Sequence, residues 1–133
     1  MSKERVRTLE IGEFSRRVGL PISTLHYYER RGLLSPARNI SGHRVYSADD
    51  VEWVAFVRRL KDTGMSIANI GRYATLRARG EATLQARMTM LQEHRNIVER
   101  ELKRWQENLN RLDLKIAHYQ ELIAHQQIEE ESQ

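Results

Sequence analysis

The 133-residue sequence contains no cysteine. Disulfide bonds, thiolate metal ligands, cysteine nucleophiles and thiol-based redox sensing are therefore excluded for these residues. No apolar run approaches the roughly 20 residues that a membrane-spanning helix needs. The polar segment 1–10 also lacks the apolar centre of a secretory signal. These absences predict a cytoplasmic protein with no membrane partner.

Glycine and proline are scarce, and they are unevenly placed. All seven glycines and both prolines lie at or before Gly80. Because these residues interrupt helices, the contrast predicts short elements up to residue 80 and one long helix after it. Charge divides at the same point: residues 1–80 carry 15 Lys and Arg against 8 acids, and residues 81–133 carry 7 against 10. The basic first part is the candidate nucleic-acid surface.

The sequence up to residue 46 predicts a helix-turn-helix followed by a small hairpin, or wing. A helix over about 12–18 ends at Gly19, and a second helix over about 24–31 follows Ser23 as its N-cap and ends at Gly32. In such a motif the second helix enters the major groove, and the wing contacts phosphates beside it. The side chains predicted to contact DNA carry hydrogen-bonding or positive groups: Arg16, Ser23, Thr24, His26, Tyr27, Arg30, Arg38, His43, Arg44, Tyr46 and Lys61.

Two further helices are predicted before residue 80. Ser47-x-x-Asp50 resembles a capping box and opens a helix to about Thr63. Ser66 is the expected cap of a fourth helix, which runs to about Arg79.

The last third of the chain has the clearest periodicity. Apolar residues follow alternating steps of four and three, interrupted only at Arg95. A stripe about 60 Å long at 1.5 Å per residue needs a second helix of similar length, so self-association is expected. The predicted dimerisation residues are Leu84, Met88, Leu91, Val98, Leu102, Trp105, Leu109, Leu112, Ile116, Tyr119 and Ile123.

Four motifs, in the expected order, resemble the MerR family of winged-helix transcription regulators. They are residues 11–15 (IGEFS), 24–34 (TLHYYERRGLL), 42–46 (GHRVY) and 60–67 (LKDTGMSI). The resemblance implies a mainly α fold with a winged-helix DNA-binding head over 8–80 and a dimerisation helix over 81–126 that pairs as an antiparallel coiled coil. Residues 127–133 are expected to form an acidic flexible tail.

The resemblance also implies a function. Members of this family bind a pseudo-palindromic promoter site as homodimers, then bend and untwist the spacer so that RNA polymerase can use the same promoter. The short chain is most similar to the branch that responds to aldehydes and nitric oxide. That branch has a cysteine where this sequence has Arg59, so a non-thiol signal is expected. His26 stands where the family usually has arginine, which predicts pH-sensitive DNA binding.

Several aromatic residues and one arginine could line an effector pocket, although we expect most of the aromatic residues to pack in the core. The residues considered for it are Trp53, Phe56, Arg59, Tyr73 and Trp105. His118 and His125 are read as surface residues, so no metal or other cofactor is expected. The sequence has no nucleophile–base spacing and no phosphate-binding glycine loop, which argues against an enzyme.

Two alternatives remain open from sequence. One is an architectural winged-helix protein that bends DNA without controlling a promoter. The other is a coiled-coil adaptor whose head binds protein, although the basic head disfavours it.

Overall fold

The computed structural model describes residues 7–132, which are mainly helical, as expected. The elements in chain order are α1 (Ile11–Val18), α2 (Ile22–Arg30), β1 (Ala37–Arg38), β2 (Arg44–Val45), α3 (Ala48–Asp62), α4 (Ile67–Ala78), a 3-10 turn (Gly80–Thr83) and α5 (Leu84–Glu131). The order of helices and hairpin confirms the predicted winged helix-turn-helix followed by one long helix.

The turn between α1 and α2 is set by Gly19 and Pro21. Gly19 has a φ of 70°, a left-handed conformation that glycine adopts without strain, and its N–H donates to Ser15 O at 2.9 Å. The Pro21 carbonyl accepts from Thr24 N at 3.0 Å. Helix α2 therefore begins at Ile22, and the prediction that Ser23 caps it was wrong, because Ser23 already lies in the first turn.

The wing is a short antiparallel pair. Strands β1 and β2 pair Ala37 with Val45 and Arg38 with Arg44. A second pairing, not predicted from sequence, joins Leu9 to Tyr46: Leu9 N donates to Tyr46 O at 2.7 Å, and Tyr46 N donates to Leu9 O at 2.9 Å. The segment before α1 therefore holds the base of the wing.

Helices α3 and α4 begin with the caps that the sequence predicted. The Ser47 hydroxyl accepts from Asp50 N at 3.2 Å while Asp50 Oδ2 accepts from Ser47 N at 2.9 Å, which completes the capping box. Ser66 Oγ accepts from Asn69 N at 3.1 Å at the start of α4. These bonds satisfy backbone donors that the first turn of a helix leaves unpaired.

One apolar core joins the short helices to the base of the wing. Met90 and Leu91, near the start of α5, pack against it as partly buried residues. The buried members are Leu9, Phe14, Val18, Leu25, Tyr28, Leu33, Leu34, Tyr46, Trp53, Val54, Val57, Leu60, Met65, Ile70 and Tyr73.

The connection from α4 to α5 is closed by a compact hydrogen-bond network. Thr83 Oγ1 contacts Leu76 O at 2.6 Å and Gly80 O at 2.8 Å. The Arg87 guanidinium donates to Thr83 Oγ1 and to Gly80 O, each at 3.1 Å. The side chain of Arg87 thus joins the first turn of α5 to the 3-10 turn.

The chain divides into two compact units, one ending at Gln92 and the other beginning at Glu93. We call residues 7–92 the head and residues 93–132 the distal helix. The distal helix continues to Glu131, so the boundary predicted at residue 126 was wrong: residues 127–131 are helical. Neither glycine nor proline interrupts this stretch. Among the helices in residues 7–132, none is long and apolar enough to span a membrane.

Candidate nucleic-acid interface

Helix α2 is held by one buried face and presents the other. Leu25 and Tyr28 are buried in the core, which leaves the residues between them on the outer surface. Of the predicted DNA-contacting residues on this helix, Ser23, Tyr27 and Arg30 are exposed, and Thr24 and His26 are half-buried. The helix thus offers hydroxyl, imidazole and guanidinium groups on the face opposite the core.

The tip of the wing is stabilised by its own side chains. Asn39 Oδ1 accepts from His43 N at 3.0 Å, and Asn39 N donates to His43 O at 2.9 Å. Arg38 Nη1 donates to Gly42 O at 2.8 Å. These bonds fix the loop between β1 and β2, so Arg38 and His43 have a defined position relative to the strands.

A groove of about 380 Å³ lies between α2 and the wing, and we call it the wing groove. Four predicted DNA-contacting residues, His26, Arg38, His43 and Arg44, line it together. The other lining residues are Glu10, Ile11, Asn39 and Gly42. Sequence reasoning missed Asn39, although an uncharged amide near the turn signal at Ser41 and Gly42 is a standard hairpin residue that can also donate to bases.

An ion pair connects α2 to the wing. Arg44 Nε donates to Glu29 Oε1 at 2.8 Å, with both side chains partly exposed. The hydrogen bond from the guanidinium to the Glu29 carboxylate, with the accompanying charge attraction, raises the pKa of Arg44 above its usual value. Because the contact uses Nε, it also sets the direction of the Arg44 guanidinium. Glu29 was not among the predicted site residues, since an acid is not an expected DNA contact.

Tyr46 was predicted to contact DNA, and the structure contradicts this. Its residue surface is only 1% exposed, and its ring stacks on Phe14 with centroids 4.2 Å apart. Burial raises the pKa of its hydroxyl, with a further contribution from the Glu29 carboxylate. Its backbone is paired with Leu9. Tyr46 therefore supports the wing from the core.

The remaining predicted contacts lie outside the wing groove. Arg16 is exposed on α1, and Lys61 is exposed near the end of α3 with its Nζ 5.5 Å from the Tyr28 ring centroid. Arg58, another basic residue of α3, donates from Nη1 to Val18 O at 2.7 Å and so closes the end of α1.

The aromatic residues considered for an effector pocket are packed against one another. Trp53 stacks on Tyr73 with centroids 6.0 Å apart, and Phe56 lies 5.6 Å from Tyr73. Trp53 and Tyr73 are buried, so the three rings fill core space between α3 and α4. Arg59 is exposed on α3, and Trp105 belongs to the distal helix. Packing between α3 and α4 therefore accounts for these three rings, and Trp53 also borders a surface groove.

The predicted dimerisation residues are mostly exposed. Leu91 is the exception within the head, because it packs partly on the head core, and Val98 is half-buried. The distal helix also exposes Ile97, Leu114, Leu122 and Ile128, which the heptad prediction did not include. Within residues 7–132, no group of three His, Asp or Glu side chains could hold a metal ion.

The sequence matches models of a known protein family. The family model described as "MerR HTH family regulatory protein" matches residues 9–76, and the family model described as "MerR, DNA binding" matches residues 51–115. The HTH-type transcriptional regulator AdhR of Bacillus subtilis is 36% identical over 88 residues, which cover 65% of this chain and 63% of AdhR. The matched part thus spans less than two thirds of that relative.

Two solved structures share the fold across most of their length. One is HiNmlR, a MerR family regulator lacking the sensor domain, bound to promoter DNA. It is 27% identical with a TM-score of 0.77, and the match covers 89% of this chain and 94% of HiNmlR. The other is a MerR family transcriptional regulator from Bacillus thuringiensis. It is 26% identical with a TM-score of 0.73, and the match covers 84% of this chain and 98% of that protein.

Proposed function

Because the chain belongs to the MerR family of helix-turn-helix regulators, we propose that it acts as a homodimer that binds a pseudo-palindromic promoter site and bends and untwists the DNA there. RNA polymerase then uses the same promoter, and the deformation controls whether its two recognition elements are aligned. The relative and the two solved structures compared above are named as transcriptional regulators or MerR family regulators, and none of them is named as an enzyme.

The observation that carries this proposal is the wing groove. It brings His26 of α2, the second helix of the helix-turn-helix, and Arg44 of the wing to one surface of the head. A recognition helix reads base edges in the major groove, and a neighbouring wing contacts the adjacent phosphates. HiNmlR, which shares this fold, is bound to promoter DNA, and this supports promoter DNA as the partner of this chain.

The homodimer is proposed from the distal helix. Leu109 and Leu112 are 51% and 60% exposed, and comparable apolar side chains recur along the helix on the predicted stripe. A contiguous apolar surface of this length marks an interaction site. A second copy of the same helix offers the same spacing, which is what knobs-into-holes packing requires. A dimer also provides the two heads that a two-fold symmetric operator needs.

We propose that the regulator responds to a signal that does not act through a cysteine thiol. The 133 residues contain no cysteine, and Arg59 is exposed at the position where the resemblance implies one. Thiol modification within these residues therefore cannot switch the regulator.

DNase I footprinting on the DNA upstream of the protein's own gene tests the proposal. We expect protection between the two promoter elements, with an enhanced-cleavage site at its centre where the DNA is bent. Protection away from any promoter would favour an architectural DNA-bending protein instead. An absence of protection at low salt, where phosphate contacts are strongest, would contradict DNA binding and favour the adaptor.

A further inference from the structure

A second groove lies on the head, between the end of α2 and the outer face of α4. It consists of two adjoining depressions of about 470 and 380 Å³ that share Gly32 and Thr75. We call it the α4 groove. Its residues belong neither to the wing groove nor to the predicted DNA contacts, and nothing in the proposed function uses it.

The α4 groove is strongly basic. Arg31, Arg72, Arg77 and Arg79 line it, and Asp50 is its single acidic residue. Asp50 is already engaged, because its Oδ2 accepts from Ser47 N in the capping box of α3. Several like charges around one concave surface raise the local concentration of anions.

The arginines of the groove are not neutralised by the protein itself. The ion pairs found among residues 7–132 join Arg7 to Glu13, Arg44 to Glu29, Arg95 to Glu99 and Arg104 to Glu101. None of them involves an arginine of the α4 groove. Other exposed arginines of the described residues, such as Arg16 and Arg100, also lack an ion pair, so what distinguishes the α4 groove is that four arginines line it together.

One arginine is held in place by the core. The Arg77 guanidinium carbon lies 4.4 Å from the centre of the Trp53 ring. The Trp53 ring is itself fixed, since its Nε1 donates to Leu33 O at 2.5 Å and its face stacks on Tyr73. A guanidinium placed over a rigid aromatic ring loses less conformational freedom when it binds a ligand.

The rest of the lining suits a ligand with an organic part. Ala74, Leu76 and Ala78 provide small and apolar surface between the arginines. Ser35 and Thr75 add hydroxyl groups, of which Thr75 Oγ1 contacts Gly71 O at 3.0 Å. Charged donors beside apolar surface are typical of sites for small organic anions.

We propose that the α4 groove binds a phosphate-bearing small molecule, and that this molecule is the effector of the regulator. Guanidinium groups match the geometry of phosphate oxygens and bind them through paired hydrogen bonds. Arg31, the C-cap of α2, and Arg72 of α4 both line the first depression, so a bound phosphate would connect the end of α2 to α4. The effector role rests on the proposed function, whereas phosphate binding does not.

Titration of the full-length protein with inorganic pyrophosphate at constant ionic strength tests the binding step. We expect saturable binding by isothermal titration calorimetry, and a shift of the Trp53 indole N–H resonance but not that of Trp105. The double variant Arg31→Gln, Arg72→Gln should lower the affinity at least tenfold. Arg100→Gln, which removes an exposed arginine of the distal helix, is the matched control and should bind as the wild type does. Non-saturable binding, or equal affinity in the double variant, would overturn the proposal.

A DNA-binding measurement separates this site from the operator contacts. The double variant should bind operator DNA with wild-type affinity and wild-type salt dependence when pyrophosphate is absent. A weaker affinity with a reduced salt slope would instead make the α4 groove a contact for DNA phosphates, and would overturn its assignment to a small molecule. Saturable pyrophosphate binding by a wild-type protein that fails to bind DNA would refute the proposed function and leave the phosphate site standing.

Discussion

The head buries many of its large apolar side chains, whereas the distal helix exposes most of its own. In the head, the large aromatic side chains of Phe14 and Tyr46 are almost fully buried, while most of its arginines are exposed. In the distal helix, Trp105 is 67% exposed, and leucines and isoleucines along the helix are about half exposed. Both regions are amphipathic in sequence, but only the head contains the partner surface for its own apolar residues.

This difference separates two sources of stability. The head has a core assembled from several helices and from the base of the wing, so its fold depends on contacts within one chain. A single long helix has no such core, because most helical stability in proteins comes from packing of an apolar face. The distal helix is therefore expected to depend on a second copy, and the head to fold without one.

The largest effect should come from placing charge on the apolar stripe. Replacing Leu109 and Leu112 with aspartate puts two carboxylates on the apolar stripe that the proposed dimer would bury, so we expect complete loss of the dimer at micromolar concentration. Sedimentation velocity measures this directly. The double variant Asn108→Asp, Asn110→Asp adds the same two carboxylates between and beside these leucines and should remain dimeric. A dimeric leucine variant would show that the seam is misplaced.

A smaller effect is expected from the head core. Phe14→Ala should lower the free energy of unfolding by about 3 to 5 kcal/mol, because Phe14 is fully buried and loses its stacking on Tyr46. Urea denaturation followed by circular dichroism measures the change. Ile40→Ala, at a fully exposed position of the wing tip, should change the stability by less than about 0.5 kcal/mol. Similar losses in the two variants would contradict the assignment of Phe14 to the core.

The elements that could be predicted from sequence are those with local signals. Ser47 and Asp50 specified the start of α3, Gly19 specified the end of α1, and the heptad stripe specified α5. Each signal lies within a few residues of the feature it determines, so no knowledge of the tertiary structure was needed. The prediction failed at Ser23 because Pro21, two residues earlier, begins the helix with its carbonyl group.

The features that could not be predicted depend on contacts between distant residues. From the sequence, Tyr46 is expected at the surface of the wing. Its side chain is buried in the core instead, because its backbone pairs with Leu9 and its ring stacks on Phe14. Glu29 was overlooked for a similar reason, since its role comes from Arg44 across the gap between helix and wing. The α4 groove also combines Arg31, at the C-cap of α2, with arginines of α4, which no single motif shows.

A moderate effect on operator binding should distinguish Arg44 of the wing from Arg100 of the distal helix. Arg44→Ala should weaken operator binding about tenfold, the order expected for one charged hydrogen bond, and should reduce the salt slope by about 1. Fluorescence anisotropy at several salt concentrations measures both quantities. Arg100→Ala, an exposed arginine of the distal helix, should leave both unchanged. Equal behaviour of the two variants would remove Arg44 from the DNA contacts.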